Sequence, residues 1–192
     1  MRLTDIAHSY LSAHLQPGDH AIDATAGNGH DTTHIAALVG SKGQVIAIDI
    51  QEAAIHATRT RLSTHNCLHQ VQLLTGEHSN ILQSLCATHA RTIHSIIFNL
   101  GYLPGSDKHI QTNPETTLAA LAASQQLLAP KGLLLVTAYR GHEGGQTEAE
   151  QVARWMQTTR DNGWSVKNHA PEAKGSNIPP ILWVAHKVNV EI

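Results

Sequence analysis

Cysteine is nearly absent: Cys67 and Cys86 are the two in 192 residues and form no CxxC pair, which excludes a zinc ribbon and a disulfide framework. Aromatics make up 4% of the chain, with a single Phe. No apolar run approaches the roughly 18 residues of a membrane span, and the N-terminus lacks a basic region followed by an apolar one. The expected location is therefore the cytoplasm, without membrane association. Charge of one sign is also scarce. With 13 basic against 15 acidic residues the balance is -2, which excludes a protein that grips nucleic acid by bulk positive charge and leaves a local basic patch open.

Histidine, by contrast, is abundant, with 15 residues. His30/His34 and His65/His69 stand at i, i+4, but neither pair has the glutamate of HExxH and no third ligand is legible. The expectation is hydrogen-bonded or solvated histidines and no metal.

Short apolar runs alternate with amphipathic stretches. Strands are predicted at His20–Asp23, Gln44–Asp49, Val71–Leu74, Ile93–Phe98, Leu133–Tyr139, Trp164–Ala170 and Ile181–Lys187. Helices are predicted over 3–15, Asp31–Val39, Gln51–Thr64, Ser79–Cys86, Pro114–Leu128 and Glu148–Thr159, with a turn at Pro130-Lys131-Gly132. Strands recurring every 20 to 30 residues with helices between them imply βαβ units: one α/β domain, residues 1–192, with a mostly parallel sheet and helices on both faces. Such sheets bind ligands at the carboxyl ends of their strands.

The loop Asp23-Ala24-Thr25-Ala26-Gly27-Asn28-Gly29 leaves the first strand, and Asp49 ends the second about 20 residues later. Glycines allow a tight turn and close ligand approach, and a carboxylate at the second strand's end accepts hydrogen bonds from a ribose diol. Two cofactor classes use that geometry. Dinucleotides want GxGxxG, but here the sixth position, with Gly27 as the first, is Thr32, and Asp31 stands where a pyrophosphate would lie. An acidic loop suits the sulfonium and ammonium of S-adenosyl-L-methionine (AdoMet). The plainer alternative is a turn with Asp31 as helix N-cap.

The fourth strand runs into Asn99-Leu100-Gly101-Tyr102-Leu103-Pro104. This has the spacing of the Asn-Pro-Pro-Tyr loop of amine-directed methyltransferases. An amine nitrogen that offers its lone pair needs acceptors for its N–H groups, and the Asn99 side-chain oxygen and the Leu100 carbonyl would supply them. Tyr102 offers a face for stacking on a base or a developing cation. Positioning of this kind supplies roughly 7 to 11 kcal/mol of a barrier. A simple turn through Gly101, Pro104 and Gly105 is the alternative.

NLGYLPGSDK at 99–108, DATAGNGHDT at 23–32, IDIQ at 48–51, GEHSN at 76–80 and YRGHEGG at 139–145 together resemble the small Rossmann-like class I AdoMet-dependent methyltransferases of the MnmM or YtqB type. These methylate the 5-aminomethyl group of 5-aminomethyl-2-thiouridine at the tRNA wobble position. The resemblance runs from Ile6 to Lys187. It implies AdoMet contacts from Asp23, Gly27, Asn28, Gly29, His30 and Asp31, ribose and adenine contacts from Asp49 and Gln51, and Glu77 with His78 flanking the adenine. It implies catalytic roles for Asn99, Tyr102 and His142, and substrate contacts from Leu100, Gly101, Lys108, Tyr139 and Arg140 toward a tRNA anticodon, with a homodimer as a possible assembly. Two positions depart from the family pattern: Gly105 is followed by Ser106 rather than Gly, and Ser79 stands where many members have an acid after the His.

The family's acceptor is an alkylamine, nucleophilic only when neutral and with an unperturbed pKa near ~10. His142, His78 or water are the candidate proton acceptors. Lys108, Lys131, Arg140 and Arg154 are expected near the carboxyl edge to meet RNA, with Arg59 and Arg61 elsewhere; Ser176 to Pro180 form either a pocket wall or a turn. An N-methyltransferase of another amine and a non-catalytic nucleotide-binding protein are the competing readings.

Overall fold

The computed structural model describes residues 2–101, 111–172 and 178–188. Chain order is α1 (Leu3–His14), β1 (His20–Asp23), α2 (His30–Val39), β2 (Gln44–Asp49), α3 (Glu52–Thr64), β3 (Val71–Thr75), α4 (His78–His89), β4 (Ile93–Leu100), α5 (Pro114–Leu127), β5 (Leu128–Ala138), α6 (Gly145–Asp161), β6 (Ser165–His169) and β7 (Ile181–His186). The strands form one sheet in the order β3-β2-β1-β4-β5-β7-β6. The five strands from β3 to β5 are parallel, and β7 runs antiparallel between β5 and β6. The order reverses between β1 and β4, which opens a crevice at their carboxyl ends.

Alternation along each strand divides the core. Ile96, Phe98, Leu134 and Val136 pack with Leu82 of α4, Leu121 of α5 and Val152 and Met156 of α6 on one face. Ile97, Leu133 and Leu135 pack with Leu11 of α1, Ile35 and Val39 of α2 and Leu62 of α3 on the other. Buried on both sides, these strands read as continuous apolar runs, as parallel sheets do. Asn113 caps α5 by accepting from the Thr116 amide at 3.1 Å, with Pro114 in the first helical position.

Several boundaries differ from the sequence expectation, three of them as follows. Residues 130–132 are not a turn before β5 but a bulge inside it: Ile93 pairs with Leu128 while Ser95 pairs with Leu133, and Lys131 absorbs the excess at φ +64°. β4 extends two residues, so Asn99 and Leu100 are strand residues paired with Thr137 and Ala138. α6 starts at Gly145, where Gly144 at φ +76° makes the left-handed entry. Among the described residues no helix is long and apolar enough to cross a membrane.

Candidate active site at the carboxyl edge of the sheet

A cavity of about 870 Å³ lies over the carboxyl ends of β1 to β5. Its floor is the loop after β1, strapped to both neighbours: Ala24 N donates to Ile97 O at 2.9 Å and Ala26 N to Ile48 O at 2.8 Å. Gly27 N donates to Asp49 Oδ2 at 2.9 Å, and Gln51 N to Asp49 Oδ1 at the same distance. Each Asp49 oxygen thus keeps acceptor capacity toward the cavity that it lines. Burial pushes the Asp49 carboxyl above its usual range despite the amides of Gln51, Gly27 and Ile50. Gln51, Asn28, His30 and Asp31 also line the cavity.

Two expected cofactor contacts do not reach it. Asp23 is fully buried beneath the loop, taking hydrogen bonds from Thr32 Oγ1 at 2.6 Å and Thr25 N at 3.2 Å. Burial, joined by the charges of Asp31 and Asp49, pushes its pKa up to about 7. Its place is behind the site because β1's inward alternation puts it there. Gly29 caps α2 at φ +77°, and a Cβ there would meet Thr58 Cα at 2.8 Å; this glycine serves helix packing. Asp31 is not the N-cap, since Gly29 holds that position.

Arg61, expected elsewhere, comes to the loop. Its Nε donates to Asn28 O at 2.7 Å and its guanidinium to His30 Nε2 at 3.1 Å, because α3 lies alongside α2. His34, one helical turn from His30, faces α1 instead, so the i, i+4 pair does not converge. Among the described residues no group of three His, Cys, Asp or Glu could hold a metal ion.

After β3, Gly76 N donates to Asp49 O at 2.9 Å, and Glu77 and His78 line the cavity. Ser79 donates its hydroxyl to the Glu77 carboxylate, so the serine that replaces the family's acid orients the glutamate before it. His78 is 8% exposed and meets the Phe98 ring edge-on at 5.8 Å. Burial lowers its pKa against the opposing pull of Glu77 and the Thr116 backbone, and its Nε2 has no hydrogen-bond partner.

At the end of β4 the Asn99 amide nitrogen donates to Asp31 Oδ2 at 2.6 Å, while Asn99 N donates to Thr25 Oγ1 at 2.7 Å. Asp31 Oδ1 accepts from His8 Nε2 at 2.6 Å. A carboxylate only accepts, so it takes the Nδ2 end of the amide and leaves the Asn99 Oδ1 end to accept, with no hydrogen bond to it from the described residues. The Leu100 carbonyl is less free than expected: Tyr139 N donates to it at 3.3 Å, leaving one lone pair. Gly101 lines the cavity, and its carbonyl accepts from Thr112 N at 2.9 Å. Tyr102 and Lys108 lie outside the described residues.

Beyond β5, Tyr139 and His142 line the cavity. Tyr139 is 43% exposed; what burial it has, with the Asp31 charge, raises its pKa. His142 is wedged between two glycines: a Cβ on Gly101 would lie 3.5 Å from His142 Nε2, and one on Gly145 only 2.7 Å away. Arg140 is not a free cation at the entrance. Its Nε and NH2 groups donate to Pro179 O at 2.9 and 2.6 Å, fixing the chain before β7. Lys131, in the bulge of β5, is at the opposite edge of the sheet, and Arg154 sits in a shallow groove on α6 with Leu118 and Trp155. Among the described residues that line the cavity, Arg2 is the one Lys or Arg, and it is paired with Asp5 at 3.0 Å.

The wall formed by α1 had no signal in the sequence. Arg2, Thr4, Asp5 and His8 line the cavity together with Thr112, Asn113 and Thr116 near α5. Periodicity marks the buried face of α1, but not which strand ends its polar residues overhang.

Comparison with known proteins bears on this arrangement. Residues 45–186 match the family model described as "Putative rRNA methylase", and residues 2–81 match that of protein-L-isoaspartate(D-aspartate) O-methyltransferase. The chloroplastic tRNA (mnm(5)s(2)U34)-methyltransferase of Arabidopsis thaliana is 36% identical over 97% of the chain, which spans 63% of that relative's length. A crystal structure of an rRNA-methylase so described from Clostridium thermocellum is 34% identical, covers 96% of the chain and 97% of its own, and superposes with a TM-score of 0.88. A Streptococcus mutans protein described as a methyltransferase, solved in complex with SAH, is 32% identical over 98% of this chain and 99% of its own, with a TM-score of 0.84. The sheet order, the cavity over its carboxyl edge and the match over residues 45–186 agree: this chain has the Rossmann-like class I methyltransferase fold and belongs to the family described as "Putative rRNA methylase".

Proposed function

We propose that the chain is a single-domain AdoMet-dependent N-methyltransferase of the cytoplasm. Its substrate is tRNA, in which it converts the 5-aminomethyl group of the wobble (2-thio)uridine in the anticodon to 5-methylaminomethyl. The observation that carries this reading is the Asn99 amide, turned by Asp31 so that its oxygen remains to accept a hydrogen bond beside the cavity. The Arabidopsis relative, named for tRNA methylation at U34, and the SAH in the Streptococcus mutans protein support substrate and cofactor in turn.

The residues present fit AdoMet. Asp49 retains acceptor capacity that would serve the ribose hydroxyls, Gln51, Glu77 and His78 line the cavity where they would meet the adenine, and Gly27, Asn28 and His30 form the loop beneath. Asp31, in the first turn of α2, faces the cavity, where a carboxylate suits a cationic ligand and opposes a pyrophosphate. Bound there, AdoMet would supply an electrophilic methyl group.

The chain's own part is to present the amine. Asn99 Oδ1, with the remaining lone pair of Leu100 O, accepts N–H bonds and points the nitrogen lone pair at the methyl. These acceptors also stabilise the positive charge that develops on nitrogen. The acidic lining attracts the protonated amine, and the candidates to take its proton are His142 and His78, which line the cavity, or water. Tyr139 stands at the entrance for the base.

The test is incubation of the protein with labelled AdoMet and tRNA lacking the terminal methyl, followed by nucleoside mass spectrometry. Label in 5-methylaminomethyl-uridine is expected. Label only on a small amine or an rRNA base would replace the substrate. Calorimetry showing heat with a nicotinamide dinucleotide and none with AdoMet would replace the cofactor.

A further inference from the structure

His8 lies on α1, ahead of every strand, yet it lines the cavity and touches the group that orients Asn99. Asp31 is held at both oxygens: His8 Nε2 donates to Oδ1 and Asn99 Nδ2 to Oδ2, each at 2.6 Å. The His8 ring is fixed in turn. It stacks on His34 with centroids 3.9 Å apart and planes within 5°, and His34 Nε2 lies 3.2 Å from Ser12 Oγ and 3.4 Å from His8 O. The side chains of His8 and Asp31 are 26% and 13% exposed, so the contact is shielded from water.

We propose that His8 is a positioning residue for methyl transfer, acting through Asp31 to hold the Asn99 amide with its oxygen toward the acceptor amine. This rests on the N-methyltransferase reading above. The two ends of an amide have nearly the same shape, so shape alone does not choose which faces the cavity. An ionised Asp31 chooses, because it bonds only to the NH2 end. A protonated Asp31 can donate instead to the amide oxygen, which turns the NH2 toward the amine and repels its N–H bonds.

His8 keeps Asp31 ionised. Burial alone would raise the Asp31 pKa, but the hydrogen bonds from His8 and Asn99 and the charges of His8 and His34 outweigh it and bring the carboxyl below its usual range. Among the described residues, the other titratable groups in its field are Asp23 beneath the loop and Tyr139 after β5. Loss of His8 removes the favourable partner and leaves Asp31 near the Asp23 carboxyl.

The test uses the full chain with His8→Leu and His8→Gln, the latter keeping an N–H donor at comparable reach. For His8→Leu at saturating AdoMet, kcat on undermodified tRNA is expected to fall roughly 10-fold or more, with the KM for tRNA within about 2-fold. The acid limb of its kcat profile should move to higher pH, and His8→Gln should recover most of kcat. In an Asn99→Ala background His8→Leu should cost nothing further, since the group it positions is gone. In the ligand-free protein the Asn99 side-chain NH2 resonances should shift in His8→Leu and return toward wild type in His8→Gln.

A wild-type kcat and acid limb in a folded His8→Leu variant, an undiminished effect in the Asn99→Ala background, or unmoved Asn99 resonances would each overturn the proposal. Should His8→Leu not fold, the same three readouts on His8→Ala decide. Inactivity of the wild-type protein on tRNA would overturn the function reading instead, while the amide resonances still decide the coupling.

Discussion

Asp31 and Asn99 are 68 residues apart in sequence, and the carboxylate of one takes the amide nitrogen of the other at 2.6 Å. The bond joins the first turn of α2 to the end of β4 across the point where the sheet order reverses. Together with Asn99 N on Thr25 Oγ1 and Ala24 N on Ile97 O, it ties the first loop and α2 to the end of β4.

Loss of the amide should therefore act on turnover rather than on binding. Asn99→Ala is expected to reduce turnover by roughly 10² or more with AdoMet affinity nearly intact, as for loss of a transition-state hydrogen bond. Steady-state kinetics beside calorimetry separate the two quantities, and equal losses in both would assign Asn99 a structural role.

Asp49 makes the opposite case. Its oxygens already hold the amides of Gly27 and Gln51, and their remaining lone pairs face the cavity. Asp49→Ala should weaken AdoMet binding by about 1.5 to 3 kcal/mol, the range for hydrogen bonds to a charged group. Unchanged affinity by calorimetry would remove Asp49 from the cofactor site.

Arg61 reaches the cofactor loop through Asn28 O and the His30 ring and does not itself line the cavity. Arg61→Ala should cost about 0.5 to 1.5 kcal/mol of AdoMet affinity, one hydrogen bond's worth of loop order. Titration calorimetry of the variant checks this, and wild-type affinity would mean the loop holds its shape without the arginine.

Asp23 carries a pH signature of the fold itself. Its folded pKa of about 7 lies above the ordinary carboxylate value, so below pH ~4 both folded and unfolded states are protonated and no penalty arises. From there to about 7 the unfolded chain ionises first, and stability falls as pH rises. The loss attributable to this group is up to about 4 kcal/mol. Asp23→Asn should flatten the decline between about pH 4 and 7 in thermal melts; an unaltered pH dependence would place the decline elsewhere.

Gly29 tests backbone geometry. At φ +77°, with Thr58 Cα 2.8 Å from any added Cβ, Gly29→Ala should destabilise by about 2 kcal/mol or more in urea unfolding. A loss under 0.5 kcal/mol would mean α2 and α3 can part without strain.

The apolar runs of β1, β2, β4 and β5 and the loops that follow them are legible in the chain because period and composition report local geometry. Asp49, Asn28, His30 and Asp31 were brought to the cavity for the same reason: a strand end followed by a glycine turn puts its polar residues at the sheet's carboxyl edge. Asp23 was not, since pairing and pleat, not position near a loop, decide which face a strand residue takes. The bulge at 130–132 was hidden too, because Pro-Lys-Gly reads as a turn until the neighbouring strand supplies a register.

The sequence by itself determined an alternating α/β chain, the strand ends that carry polar chemistry and the Asn at the end of β4, all local properties of spacing and residue type. The tertiary structure alone decided that His8 and Arg61 join the site, that Arg140 is spent on Pro179 O, and that Asp31 faces Asn99. Those choices come from packing α1, α2 and α3 on one face of a sheet whose order reverses at β1 and β4. Contacts between residues 23 to 68 positions apart depend on that packing and leave no period in the chain.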